Sequence, residues 1–147
     1  MKDLYHNVLP TRALTIQTIT DTALVSGDID LKGFEAVQVL VDFGDIAEMG
    51  ASPVGNAAIA VKLEHADDDG SGAPAAYAEV SDADVVGPAG VSAGVVATTS
   101  SDLVPIRFGY VGGKRFIKVT LTPTDLATGG PVGIWVEKAH ARHAPQA

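Results

Sequence analysis

Apolar residues recur at every second position through much of this sequence, and this alternation restricts the fold more than any other feature. It is clearest in residues 33–46, 57–66, 114–124 and 132–139. Successive side chains of a β-strand point to opposite faces of a sheet, so each segment predicts a half-buried strand with one apolar face. The residues expected to share one core are Val37, Val39, Val41, Ile59, Val61, Leu63, Ile117, Val119 and Leu121.

Turn-forming residues separate these segments and complete the prediction of fold class. The chain contains 16 Gly and 8 Pro, and no window has a helical period longer than about two turns. Shorter candidate strands lie in residues 13–20, 22–31 and 106–111. We therefore predict an all-β fold of about seven strands, an antiparallel β-sandwich that is jelly-roll-like and carries an N-terminal arm.

The length of 147 residues favours one domain with its own core. The alternating pattern divides the chain into an N-terminal arm (residues 1–14), a β-sandwich domain (15–139) and a C-terminal tail (140–147). Pro10 limits regular strand pairing in the arm, so we expect the apolar residues near it to be covered by a partner outside the sandwich.

Five residues are candidates for a protein interface on this reasoning. Four belong to the apolar cluster of the arm, and the fifth is a tryptophan in an apolar strand, where a large ring with one donor suits either a core or an interface. These residues are Leu4, Tyr5, Val8, Leu9 and Trp135.

Charge and composition exclude several classes of function. Ten Lys and Arg against 18 Asp and Glu give a formal net charge of −8, which repels phosphate backbones, so no nucleic-acid partner is predicted. The absence of cysteine excludes disulfides and zinc-thiolate sites. No apolar run approaches the roughly 18 to 20 residues that span a bilayer, and the first residues do not resemble a signal peptide, so no membrane partner is predicted.

The acidic stretch EHADDDGSGAPAAYAEV, residues 64–80, has two interpretations. Its first half resembles a calcium loop, but the twelfth position counted from Asp67 is Ala78, where an EF-hand needs a bidentate glutamate. The favoured interpretation is a hairpin turn whose aspartates cap backbone amides and whose glycines supply positive φ. The alternative is a weak surface cation site on Asp67 and Asp69.

Other candidate sites lack the context that their chemistry needs. His140 and His143 could bind a metal only if the tail were helical and supplied a third ligand. Ser100, Ser101 and Asp102 lack the strand-turn-helix setting of a nucleophile elbow, and the glycines of residues 108–113 precede a strand, where a phosphate loop precedes a helix. We therefore predict no catalytic residue, no metal site and no cofactor, and a protein that is not an enzyme.

Four stretches of the chain carry a resemblance to a known family. They are MKDLYHNVLPTRAL, LKGFEAVQVLVDFG, KLEHADDDGSGAPAAYAEVSDADVVG and FGYVGGKRFIKVTLTPT. With them the chain resembles small structural proteins encoded near the major capsid gene in tailed bacteriophages and phage-like gene transfer agents. The resemblance covers most of the chain, and this sequence departs from it by lengthening the acidic turn and by inserting residues 87–100.

The resemblance implies a non-enzymatic virion protein, a capsid decoration or cement protein on the outer surface of the capsid. Its expected partners are the major capsid protein and further copies of itself, with a trimer as the favoured homo-oligomer. Alternatives within the virion are a head-spike base, a head-tail connector or a tail component. A receptor- or carbohydrate-binding module is a further alternative, which the low aromatic content of 5% disfavours.

Overall fold

The computed structural model describes residues 5, 7–49, 54–87, 90–99 and 104–141. Alternation of apolar and polar residues produces strands throughout these ranges, with a single 3-10 turn at Asp82–Asp84 as their only helical element. The strands are β1 (Val8–Ile19), β2 (Leu24–Val25), β3 (Ile29–Asp30), β4 (Phe34–Phe43), β5 (Ala58–Ala66), β6 (Ala78–Glu79), β7 (Val85–Val86), β8 (Val95–Thr99), β9 (Ile106–Tyr110), β10 (Phe116–Thr124) and β11 (Gly130–Ala141).

The strands form two antiparallel sheets that pack face to face. The first sheet has the order β1-β11-β4-β9-β7, and the second has the order β2-β10-β5-β6, with β3 also paired to β10 and β8 also paired to β5. From β4 to β5 and from β9 through β10 to β11 the chain crosses between the sheets, which gives the strand order of a jelly roll. The predicted all-β, jelly-roll-like sandwich is confirmed.

The core lies between the two sheets and contains every residue that the alternation assigned to it. Each of the nine predicted core residues is at most 8% exposed, and eight of the twelve largest fully buried side chains come from this set or from β11 beside it. The β11 residues Ile134 and Val136 join them, while Trp135 between them faces outward. Apolar burial on this scale is the main favourable contribution to folding.

The N-terminal boundary differs from the prediction. Strand β1 begins at Val8 and pairs with β11 from Val8 opposite Ala139 to Ile19 opposite Gly130. The prediction that residues 1–14 form an arm is therefore wrong for residues 8–14, which belong to the sandwich. Pro10 is compatible with this strand because β1 lies at the edge of its sheet, where one side of the backbone has no ladder partner. Of residues 1–7, which precede β1 in the sequence, the structure describes Tyr5 and Asn7.

The C-terminal boundary also shifts slightly. Strand β11 continues to Ala141, two residues beyond the predicted end of the domain at residue 139. His140 lies in this strand with a φ of 53°, and residues 142–147, including His143, lie outside the described residues.

A buried carboxylate links the segment after β4 to the β10–β11 connection. Glu48 is 9% exposed, and its two carboxylate oxygens accept the backbone N–H groups of Thr128 and Gly129. The hydrogen bond from Thr128 is the main reason that the pKa of Glu48 lies below its ordinary value. The segment after β4 is thereby fixed against the start of β11.

Candidate protein-interaction surfaces

The acidic stretch forms the predicted hairpin. Strand β5 ends at Ala66, and the returning strand β6 pairs with it at Glu64 opposite Glu79 and His65 opposite Ala78. A single bridge joins Asp68 to Pro74 within the turn. The return strand is only two residues long, so backbone pairing alone holds this hairpin weakly.

Two aspartates organise the tip of the hairpin through backbone hydrogen bonds. The Oδ1 atom of Asp68 accepts N–H groups from Gly70 and Gly72 at 2.8 and 3.0 Å, and Oδ1 of Asp69 accepts the N–H of Ser71 at 2.7 Å. Both glycines have φ near 90°, the left-handed region that favours glycine. These hydrogen bonds lower the pKa of Asp68 below its usual range. The prediction of capping aspartates and positive-φ glycines is confirmed.

The carboxylates of Asp67 and Asp68 bind basic side chains of the neighbouring β9–β10 turn. Lys114 forms an ion pair with Asp67, and Arg115 binds Asp68. Arg115 also makes two parallel contacts with Asp30 at the end of β3, Nε to Oδ1 at 2.9 Å and Nη2 to Oδ2 at 2.7 Å. We call these three ion pairs the hairpin clip. Asp67 thus already faces Lys114, and Oδ1 of Asp69 is occupied by hydrogen bonds from Ser71 and Ala73, which argues against the cation site on Asp67 and Asp69.

Acidification should weaken the hairpin clip. The hydrogen bonds from Arg115 are the main reason that the pKa of Asp30 lies below its ordinary value of 3.8. Because the folded-state pKa is the lower one, this contribution to stability is complete above about pH 4 and is lost as the pH falls through the folded value. We expect Tm to fall more steeply between about pH 5 and about pH 2 in the native protein than in an Asp30→Asn variant. Parallel curves for the two proteins would contradict this assignment.

A cavity of about 500 Å³ opens beside the hairpin clip, between the β3–β4 turn and the β9–β10 turn. Its apolar wall contains Leu31, Phe34 and Val37, and Lys114 and Arg115 stand at its rim. Both rim cations are bound to the carboxylates of the clip. The cavity therefore combines apolar surface with charged side chains, of which Lys114 and Arg115 are already paired.

The outer face of the second sheet carries a network of opposite charges. Lys62 contacts Glu79 at 3.0 Å and Glu64 at 3.6 Å, and Lys118 contacts Glu64 at 3.6 Å. The ammonium group of Lys118 also lies 3.9 Å from the centre of the Tyr77 ring. A surface whose charges are paired and hydrated in this way is a solvated face.

The outer face of the first sheet is different, because a row of apolar and cationic side chains crosses it. The strand register places Arg12, Trp135, Leu40 and Arg107 side by side on β1, β11, β4 and β9. Trp135 is 37% exposed, and the guanidinium carbon of Arg12 lies 6.0 Å from the centre of its ring. We call this surface the Trp135 face, and its other members are Pro10, Ile16, Gln38, Asp42, Val86 and Glu137.

Exposed apolar side chains extend the Trp135 face on both sides of this row. Ile16 on β1 is 61% exposed and lies beside Gly133, where an added Cβ would be 3.0 Å from its Cγ1 atom. Val86 on β7 is 60% exposed. Exposed apolar side chains grouped on one face of a sheet are typical of a protein-binding site.

The structure places the predicted interface residues in two groups. Tyr5 is 81% exposed ahead of β1, and Val8 and Leu9 are half-buried at the start of that strand. We call Tyr5, Val8 and Leu9 the N-terminal edge. Trp135 lies on the outer face, paired with Arg12. Leu4 lies outside the described residues.

Sequence reasoning missed the residues that surround Trp135. Arg12, Leu40 and Arg107 occupy outward positions of three strands, and the sequence alone does not give the register that aligns them. The sequence does indicate that these residues face outward, because the residues that alternate with core residues along a strand point away from the core.

The other candidate sites gain no catalytic setting in the described part of the chain. His140 is exposed on β11, while Ser100, Ser101 and Asp102 lie outside the described residues. The glycines at 112 and 113 form the β9–β10 turn and are followed by a strand. Among the described residues no group of three or more His, Cys, Asp or Glu side chains is placed to hold a metal ion.

Comparison with models of known protein families and with curated proteins gives no match. In the described ranges there is also no helix with the length and apolar character needed to cross a membrane.

Proposed function

We propose that this protein is a non-enzymatic capsid decoration protein that binds the outer shell of a phage-like particle and stabilises it. The resemblance to phage structural proteins supports a location on a capsid, and we assign the contact with the major capsid protein to the N-terminal edge. The observation that carries this assignment is the 81% exposure of Tyr5, a large aromatic side chain directly ahead of the edge strand β1.

The jelly-roll sandwich suits this role for physical reasons. A cement protein needs a rigid body and extended contact surfaces, and it needs no reaction centre. The net charge of −8 carries no penalty on the outside of a shell, because the protein there faces away from the packaged DNA.

The N-terminal edge can bind a shell without disturbing the sandwich. Val8 and Leu9 are held in place by pairing with Ala139 and Lys138 of β11, and Tyr5 lies three residues before the start of this strand. Exposed aromatic side chains bury a large apolar area on binding, and residues of this type are frequent anchors of protein interfaces.

Binding to expanded capsids that lack the protein tests this proposal. We expect a Tyr5→Ala variant to bind about tenfold or more weakly than the native protein, since a truncated aromatic anchor typically costs that much. Deletion of residues 2–7 should have at least the same effect and leave the circular dichroism spectrum unchanged, because β1 begins at Val8. Bound protein is measured by co-sedimentation with the capsids.

A matched control is Val25→Ala, which truncates an exposed apolar side chain on β2 of the opposite sheet. This variant should bind capsids like the native protein. Native protein that does not bind at all would contradict the proposed function, and full binding by the Tyr5→Ala variant would contradict the role of the N-terminal edge.

A further inference from the structure

We infer that the Trp135 face is a homotypic interface, on which a second copy of this chain packs about a two-fold axis. This contact is separate from the capsid contact of the N-terminal edge. The argument rests on the charge of the face, on the placement of its four charged residues and on its area.

The Trp135 face is neutral in a strongly acidic protein. Its outward-facing strand positions carry two arginines, Arg12 and Arg107, and two acids, Asp42 and Glu137. The whole chain has a formal charge of −8. Two copies that met through most other surfaces would repel each other, so a neutral apolar face is where self-association costs least.

The four charges are also arranged so that one two-fold rotation matches them. Arg12 lies opposite Trp135, so Glu137 is one strand and two residues away from it. Arg107 lies opposite Leu40, so Asp42 is likewise one strand and two residues away, in the opposite direction along the sheet. With the usual strand spacing and rise per residue, the backbone position of Arg12 is about 8 Å from that of Glu137, and the same distance separates Arg107 from Asp42.

A two-fold axis in the plane of the contact satisfies both pairs at once. If the axis crosses the sheet diagonally between Trp135 and Leu40, Arg12 of each copy lies over Glu137 of the other, and Arg107 lies over Asp42. The same axis brings the two Trp135 side chains together at the centre. An aromatic centre flanked by charge pairs is a common arrangement in protein interfaces.

The area of the face is sufficient for a stable dimer. The five strands contain 12, 12, 10, 5 and 2 residues. With a strand spacing of about 4.8 Å and a rise of about 3.4 Å per residue they give a surface of about 670 Å², which is within the range of about 600 to 1,000 Å² per partner for standard interfaces. Because an isologous contact pairs two copies and closes, we expect a dimer where the sequence alone favoured a trimer.

Charge exchange tests the inference, with the dimer dissociation constant measured by analytical ultracentrifugation on the full chain. Arg12→Glu and Glu137→Arg should each weaken the dimer about tenfold or more, because every substitution acts at two symmetry-related contacts. The double variant Arg12→Glu/Glu137→Arg should restore an affinity close to that of the native protein, since both pairs form again with reversed sign. Trp135→Ala should weaken the dimer as well.

Lys32→Glu is the matched control for Arg12→Glu, because it changes the net charge by the same amount at an exposed position of the β3–β4 turn. It should leave the dissociation constant unchanged. A native protein that is monomeric at high concentration, or a double variant no tighter than the single ones, would overturn the inference. Because capsid binding is measured separately, a monomer that binds capsids contradicts only this inference, and a dimer that does not bind them contradicts only the proposed function.

Discussion

Replacing Leu121 by alanine should lower the free energy of unfolding by about 2 to 5 kcal/mol, the range found for truncation of a fully buried leucine. Leu121 has no exposed surface, lies in the middle of β10 and pairs with Val61 of β5 and Leu24 of β2. The central strand is held on both sides, so the sheets cannot easily collapse into the space left by the side chain. The lost burial and the remaining cavity then both reduce stability.

Urea denaturation of the two proteins measures this difference. Thr122→Ala is the control, since Thr122 is the next residue of the same strand and is exposed, and its substitution should change stability by less than about 0.5 kcal/mol. A Leu121→Ala protein as stable as the Thr122→Ala protein would show that β10 does not form the centre of the core.

Replacing Gly129 by alanine should destabilise the fold by at least about 3 kcal/mol, through backbone strain together with a steric clash. Gly129 has a φ of 66°, and a Cβ atom there would lie 1.7 Å from the carbonyl oxygen of Ile19 at the end of β1. Its N–H also donates to Glu48 at 2.9 Å. Relieving the clash requires β1 or the start of β11 to move, and that movement breaks the hydrogen bond to the buried carboxylate.

Gly113→Ala is the matched substitution for comparison. An added Cβ at Gly113 meets no atom within 4 Å, and its φ lies outside the left-handed region. This variant should differ from the native protein by less than about 0.5 kcal/mol in the same denaturation experiment. Equal stability of the Gly129→Ala and Gly113→Ala proteins would contradict the close approach of β1 to the β10–β11 connection.

The sequence predicted the sandwich because its core strands obey a period of two without interruption. Val119 and Leu121 could be assigned to the core from parity alone, since a strand with one buried face leaves no other choice. The start of β1 could not be predicted in the same way. Pro10 argues against a central strand, and only the position of β1 at the sheet edge makes the proline acceptable.

The two candidate surfaces also differ in how far they could be predicted from the sequence. The hairpin at residues 64–80 was predictable, because the relevant hydrogen bonds are local and depend on aspartates and glycines close together in sequence. The Trp135 face was not, because Arg12, Trp135 and Arg107 are far apart in the chain and meet only through the register of four strands. Register depends on pairing across the whole sheet, which a single sequence does not reveal.

The proposed function predicts that this protein occupies the outer surface of a phage-like particle, and the structure of such a particle tests that prediction. We would determine a cryo-electron microscopy map of the phage or gene-transfer-agent particle produced by the strain that encodes this chain, and fit the jelly roll to it. We expect density for the sandwich on the outer surface of the head, in many copies, with the N-terminal edge of Tyr5, Val8 and Leu9 against the major capsid protein. Density confined to one vertex, to a head spike or to the tail would contradict a decoration protein, and so would a particle that contains none of this chain.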